Sequence, residues 1–118
     1  MPLPAADVRR AARVFKALAH PHRVQLACCL SGGRSRTQKE LVAELGLPQS
    51  TVARHLGQLR EHGLIRATRN GAEVELELEG TVTPRLLEVV CRWVHPETGD
   101  HFTAGERRRF ARSVHATA

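Results

Sequence analysis

A mainly α-helical fold carrying one β-hairpin, in the order ααααββαα, is predicted for this chain, and three observations predict it. Apolar residues recur at spacings of three and four through most of the sequence. Two short helical stretches are joined by the tight turn Gly46-Leu47-Pro48, the pattern of a helix-turn-helix. Directly after them, Asn70-Gly71 separates two strand-like runs, a strong short-range hairpin pattern because both residues tolerate positive φ. A hairpin that follows the second helix of such a unit is a wing, so the expected architecture is a winged helix-turn-helix. The 118 residues fit one domain. Within it, residues 1–6 form a loose tail, 34–63 the helix-turn-helix and 64–79 the wing.

The first helix starts near Asp7, a candidate N-cap. Val8, Ala11, Ala12, Phe15, Leu18 and Ala19 line one face, with Arg9, Arg10, Arg13 and Lys16 on the other. Pro21 ends this helix and opens the second, where proline suits the first turn. The second helix carries Val24, Leu26, Ala27 and Leu30 and stops at Ser31-Gly32-Gly33. A basic loop with Arg34 and Arg36 follows. Thr37 and Glu40 then stand three apart as a capping box, each able to satisfy a backbone amide of the third helix's first turn. Leu41, Val42 and Leu45 give that helix an apolar side, and Gly46 stops it.

The fourth helix covers about Gln49 to His62, with Val52, Leu56 and Leu59 inward and Gly63 as its stop. The strands run over 64–69 and 72–79. In the second of them Val74, Leu76 and Leu78 alternate with Glu73, Glu75, Glu77 and Glu79, one face buried and the other a row of carboxylates. Thr83-Pro84 is expected to open the fifth helix, with Leu86, Leu87, Val90 and Val94 as its stripe. Thr103 and Glu106 suggest a further capping box, opening a sixth helix with Phe110, Ala111 and Val114 inside.

Composition narrows the function. The net charge of +6 favours a polyanion such as nucleic acid. Phe15, Trp93, Phe102 and Phe110 are the sole aromatics, too few for a base-stacking surface of the kind that grips single strands. No apolar run approaches the roughly 18 residues of a membrane span, and the N-terminus lacks a signal-peptide pattern, so a cytoplasmic protein with no membrane partner is expected. The odd set Cys28, Cys29 and Cys91 contains no Cys-x-x-Cys, which argues against a zinc ribbon or a disulfide framework. No nucleophile–base constellation or phosphate-binding glycine loop is present, so an enzyme is not expected.

Three stretches then resemble one family. Phe15-Lys16-Ala17-Leu18-Ala19-His20-Pro21-His22-Arg23-Val24, Lys39 to Leu47, and Gln49 to Ile65 are similar to the opening motif, third helix, and recognition helix with first strand of ArsR/SmtB regulators. The resemblance spans roughly 11–93 and implies a bacterial, DNA-binding transcriptional regulator. It also implies a homodimer built by the first and fifth helices, so 7–19 and 83–115 are the expected dimerisation segments. Three positions depart from the family. His20 stands where Asp is usual, Pro48 where a Ser or Thr cap is usual, and Thr37 and Lys39 where metal sensors of the family often carry Cys-x-Cys.

A recognition helix reads base edges in the major groove. Gln49, Ser50, Thr51 and Arg54 are the expected base contacts, with His55 and Gln58 beside them. Arg34, Arg36 and Lys39 suit phosphates, which position without specifying. Arg66, Arg69 and Asn70 flank the wing tip. The arginines there can alternatively pair with the carboxylate row across the hairpin. Residues 48–79 carry four Arg against five Glu, a net of −1, so the tip alone is expected to approach DNA. The operator is expected to be double-stranded and imperfectly palindromic.

Two effectors compete. Glu88, Cys91 and His95 fall on one face of the fifth helix and His101 and His115 follow, a donor set that suits nickel or zinc. Alternatively, Cys28 resembles the second-helix cysteine of sulfur- and redox-sensing relatives. Their partner cysteine lies in the fifth helix, about one turn beyond Cys91, which makes a Cys28–Cys91 disulfide or persulfide the rival. A protein co-regulator is a further candidate partner, and a winged-helix module that binds protein rather than DNA the alternative class.

Overall fold

The computed structural model describes residues 3–94. In chain order the elements are α1 (Ala5–Leu18), α2 (Pro21–Cys29), β1 (Arg36–Thr37), α3 (Gln38–Leu45), α4 (Gln49–Glu61), β2 (Ile65–Asn70), β3 (Glu73–Leu78) and α5 (Val82–Val94). The expected sixth helix lies outside the described residues, as do His95, His101 and His115. The helix-turn-helix and the wing are both present.

The core is where the predicted apolar faces meet. Leu26 and Leu30 of α2, Leu41 and Leu45 of α3, and Val52, Leu56 and Leu59 of α4 close on Leu47, Leu64, Ile65 and Leu76. Leu41 and Leu59 are wholly buried. Truncating such a leucine to alanine costs roughly 2–5 kcal/mol. A second cluster lies behind it, with Ala27 and Cys28 of α2 against Leu87 and Cys91 of α5.

The capping box forms as expected. The Thr37 hydroxyl accepts from the Glu40 amide at 3.1 Å, and the Glu40 carboxylate accepts from the Thr37 amide at 3.0 Å. Gly46 ends α3 in the left-handed region at φ 66°, which turns the chain directly into α4.

Four local expectations are corrected. Helix α1 begins two residues earlier, after Pro4, so Asp7 lies in its first turn instead of capping it. Helix α5 begins at Val82, so Thr83 is a buried first-turn residue and not the cap. The sheet has a third strand: Arg36 and Thr37 pair antiparallel with Leu76 and Glu75, giving the order β1-β3-β2. Finally, the hairpin turn sits one residue later. Asn70 pairs with Glu73, leaving Gly71-Ala72 as the two-residue loop. Gly71 has φ 67° and Ala72 does not have positive φ, the pattern of a II′ turn with glycine first.

The expected stripe of α1 is mostly uncovered. Only Ala17 is buried, while Val8 and Phe15 stand 51% and 62% exposed. Helix α5 likewise turns Leu87 and Cys91 inward and leaves Val82, Val89, Val90, Val94 and Trp93 exposed, Trp93 at 82%. Among the described residues, α1 and α5 therefore each carry an exposed apolar face.

Candidate nucleic-acid interface

Helix α4 is gripped from behind. Val52, Leu56 and Leu59 lie in the core, which fixes the opposite face outward. On its first turns Gln49, Ser50 and Arg54 are exposed, and Thr51 and Gln58 are half-buried beside them. A helix N-terminus also presents unsatisfied backbone amides, favourable to an anion. Lys39 of α3 is exposed and lines one hollow with Gln38, Val42 and Gln49. The glycine turn thus brings a lysine from one helix beside a glutamine from the next.

The basic residues divide into two groups. Arg34, Lys39, Arg54 and Arg69 are exposed, and none of them takes part in an ion pair among the described residues. Arg36 departs from its expected phosphate role. Its side chain is 16% exposed and its guanidinium bonds to Glu44, with Glu40 at 3.8 Å. Position 36 lies on β1, whose register directs this side chain onto α3. Arg66 also departs, in the way the carboxylate row allows: its Nε donates to Glu77 at 2.7 Å, and Glu79 lies at 3.5 Å. These two carboxylates hold its proton more firmly than usual. Asn70 reaches Glu75 at 3.5 Å. The wing's reachable cation is therefore Arg69, opposite Val74 and next to the tip.

His55 does not join the exposed face. It is 4% exposed and packs under the α1–α2 joint, its ring centroid 4.3 Å from that of His20 and 5.4 Å from that of His22. Burial first, then the positive groups His20, Arg54, His22 and Arg23, pull its pKa down to about 4. This histidine cluster is not legible in the sequence, where His20 and His22 flank Pro21 at a helix start and read equally as structural or solvent-exposed. Arg23 was missed as well; its Nε donates to the Ala17 carbonyl at 2.5 Å and so closes the C-terminal end of α1.

Of the expected metal ligands, Glu88 and Cys91 fall within the described residues. Glu88 pairs with Arg92 at 3.7 Å and stays half-exposed. Cys91 is turned into the buried cluster against Cys28, whose thiol hydrogen bond lowers its pKa. Among the described residues no group of three donors is placed to hold a metal ion. The same packing joins the two members of the rival thiol pair. All three cysteines are buried thiols and not disulfides.

Residues 20–67 match the family model described as bacterial regulatory protein, arsR family. The chain is 37% identical over 92 residues to the biofilm growth-associated repressor of Agrobacterium fabrum, covering 76% of this chain and 78% of that protein. The chain belongs to the arsR family. As an arsR-family member it is a DNA-binding transcriptional regulator and not an enzyme. The fold agrees. Reduced HlyU from Vibrio cholerae superposes with a TM-score of 0.70 at 28% identity, over 76% of this chain and 94% of that one. The homodimeric winged helix-turn-helix DNA-binding domain Mb0332 from Mycobacterium bovis gives 0.69 at 29%, over 84% and 93%. No helix among the described residues is long and apolar enough to cross a membrane.

Proposed function

We propose that this arsR-family chain is a repressor that binds a two-fold operator as a homodimer, with the N-terminal half of α4 in the major groove of each half-site. The observation that carries this reading is the division of α4: Val52, Leu56 and Leu59 anchor it, while Gln49, Ser50 and Arg54 stand clear. Glutamine suits adenine and arginine suits guanine, each able to make a bidentate contact. Thr51 and Gln58 flank these contacts. Arg34 and Lys39 meet phosphates beside the helix, and Arg69 does so at the wing tip.

The uncovered faces of α1 and α5 support pairing of two copies. One small domain gives few phosphate contacts; two copies double them and place the helices about one turn of DNA apart. Mb0332 is homodimeric, and the Agrobacterium protein is named a repressor. Nickel or zinc as effector would draw on residues beyond 94, since Glu88 and Cys91 do not face a common space.

A thiol effector is favoured by the Cys28–Cys91 contact. Oxidation removes one proton and one electron from each thiol, passes both electrons to a two-electron oxidant such as a peroxide, and joins the sulfurs. The bridge would tie α5 to α2 and shift the helix that supports dimerisation.

The test is operator binding by the full chain, reduced and after peroxide, alongside sedimentation. The expected result is a dimer whose affinity falls steeply with salt and weakens about fivefold or more on oxidation, the oxidation effect vanishing in Cys28→Ser. A monomer that binds DNA with no salt dependence contradicts the interface. An unchanged oxidant response in Cys28→Ser rejects the thiol pair alone.

A further inference from the structure

His20, His22 and His55 meet where the α1–α2 joint rests on α4, with ring centroids 4.3–5.4 Å apart. His20 caps α2: its Nδ1 accepts from the His22 amide at 3.1 Å. That bond needs a bare Nδ1, so it exists only when His20 is neutral. His22 donates from Nδ1 to the Gln25 amide oxygen at 2.9 Å, and Gln25 is itself buried. His55 is buried, and neither of its ring nitrogens has a hydrogen-bond partner among the described residues.

The charged groups facing these rings are cationic. Arg23 comes from α2, held in place by its bonds to the Ala17 and Lys16 carbonyls, and Arg54 comes from α4. No carboxylate is among the groups that act on His20 or His55. An added proton here meets burial and like charge at once.

We propose that His20 and His55, with His22 packed against both, form a proton-operated latch between the α1–α2 joint and the recognition helix, closed when the two rings are neutral and opened by mild acid. A proton on His20 removes the acceptor that caps α2. A proton on His55 creates a buried cation beside Arg54 and Arg23, relieved only if α4 moves off the joint. In the closed form burial pulls both rings below the ordinary value. The open form takes its protons at the ordinary histidine value of about 6.5. The closed form is therefore fully favoured above that pH and loses ground as pH falls towards 4, the sign of a depressed histidine. Exposed histidines near phosphate act in the opposite sense, because acid charges them and tightens binding.

The latch rests on α4 being the DNA-contacting helix, and its test separates the two. Imidazole titrations by NMR on the full chain read the latch without DNA. Operator affinity at constant ionic strength, between about pH 7.5 and 5.5, reads its output. His20→Asn keeps a capping acceptor and removes the titration; His55→Gln removes the second proton site. In the wild type, His20 and His55 should titrate below about 6.5, and affinity should fall about fivefold or more in acid. With both substitutions the fall should be under about twofold. Rings that titrate at or above the ordinary value overturn the latch, as does an acid slope equal in wild type and double variant. Should the variants not fold, the wild-type ring titrations decide alone. Absence of operator binding at the higher pH with depressed ring titrations would reject the docking of α4 and leave the latch standing.

Discussion

Arg54 and His55 are neighbours in sequence and have opposite fates. Arg54 is exposed on the first half of α4, while His55 turns 100° on and disappears beneath the joint. Arg54→Ala should weaken specific operator binding by about 1–3 kcal/mol and relax base preference at one position per half-site. Competition binding against operators mutated base by base checks it, and an unaltered preference profile would remove Arg54 from base readout. Arg66 gives the contrast. Bound to Glu77 and Glu79, it has little left for phosphate. Arg66→Ala should therefore leave the salt slope of DNA binding nearly unchanged, whereas Arg69→Ala should reduce it by about one phosphate equivalent; slopes measured from low to high salt distinguish them. Arg66 and Arg69 stand three apart on β2 and so take opposite faces of the strand, but the pattern of β2 alone does not tell which face meets the carboxylates. The register against the carboxylates of β3 decides.

At the scale of elements, local chemistry is decisive where it is strong. Thr37 with Glu40, Gly46 after Leu45, and Gly71 at the hairpin each satisfy a backbone requirement that few residues can, and each was legible in the sequence. Thr37→Ala should cost about 1 kcal/mol through loss of the cap. Gly46→Ala forces a side chain to φ 66° and should cost about 1–2 kcal/mol; urea unfolding of both variants measures the two costs. Legibility failed where a few residues depend on distant ones. Strand β1 is two residues long and exists because β3 offers a free edge, so nothing within Arg36-Thr37 announces it. The sequence pattern Asn-Gly points to a turn one residue earlier because Gly71 takes positive φ in either loop, and the register of the paired strands chooses between them. The histidine cluster was hidden for the same reason: His20 and His55 are 35 positions apart and meet only through the packing of α2 on α4.

Taken together, the described residues leave several large apolar side chains uncovered. Phe15, Val89, Val90 and Trp93 lie outside the two clusters that hold the fold together. A patch of this kind on a small domain marks an association surface. Trp93→Glu together with Phe15→Glu should therefore turn the sedimenting dimer into monomer with little loss of helical circular dichroism. A dimer that persists in that variant would move the interface elsewhere. Helix periodicity in α1 and α5 was readable, and the family resemblance marked both helices for pairing, but which of their apolar residues turn to the core was not, since both faces have the same spacing and residue types.

The bond from Arg36 to Glu44 fastens the sheet to α3, and the shared leucines fasten α3 to α4. On the proposed docking, the wing and α4 are thereby tied to each other through α3. Cys28 and Cys91 lie outside that block, in the second cluster between α2 and α5. If two copies pair as proposed, a thiol signal would act as a calliper does, by setting the opening between two tools that each keep the sheet, α3 and α4 together.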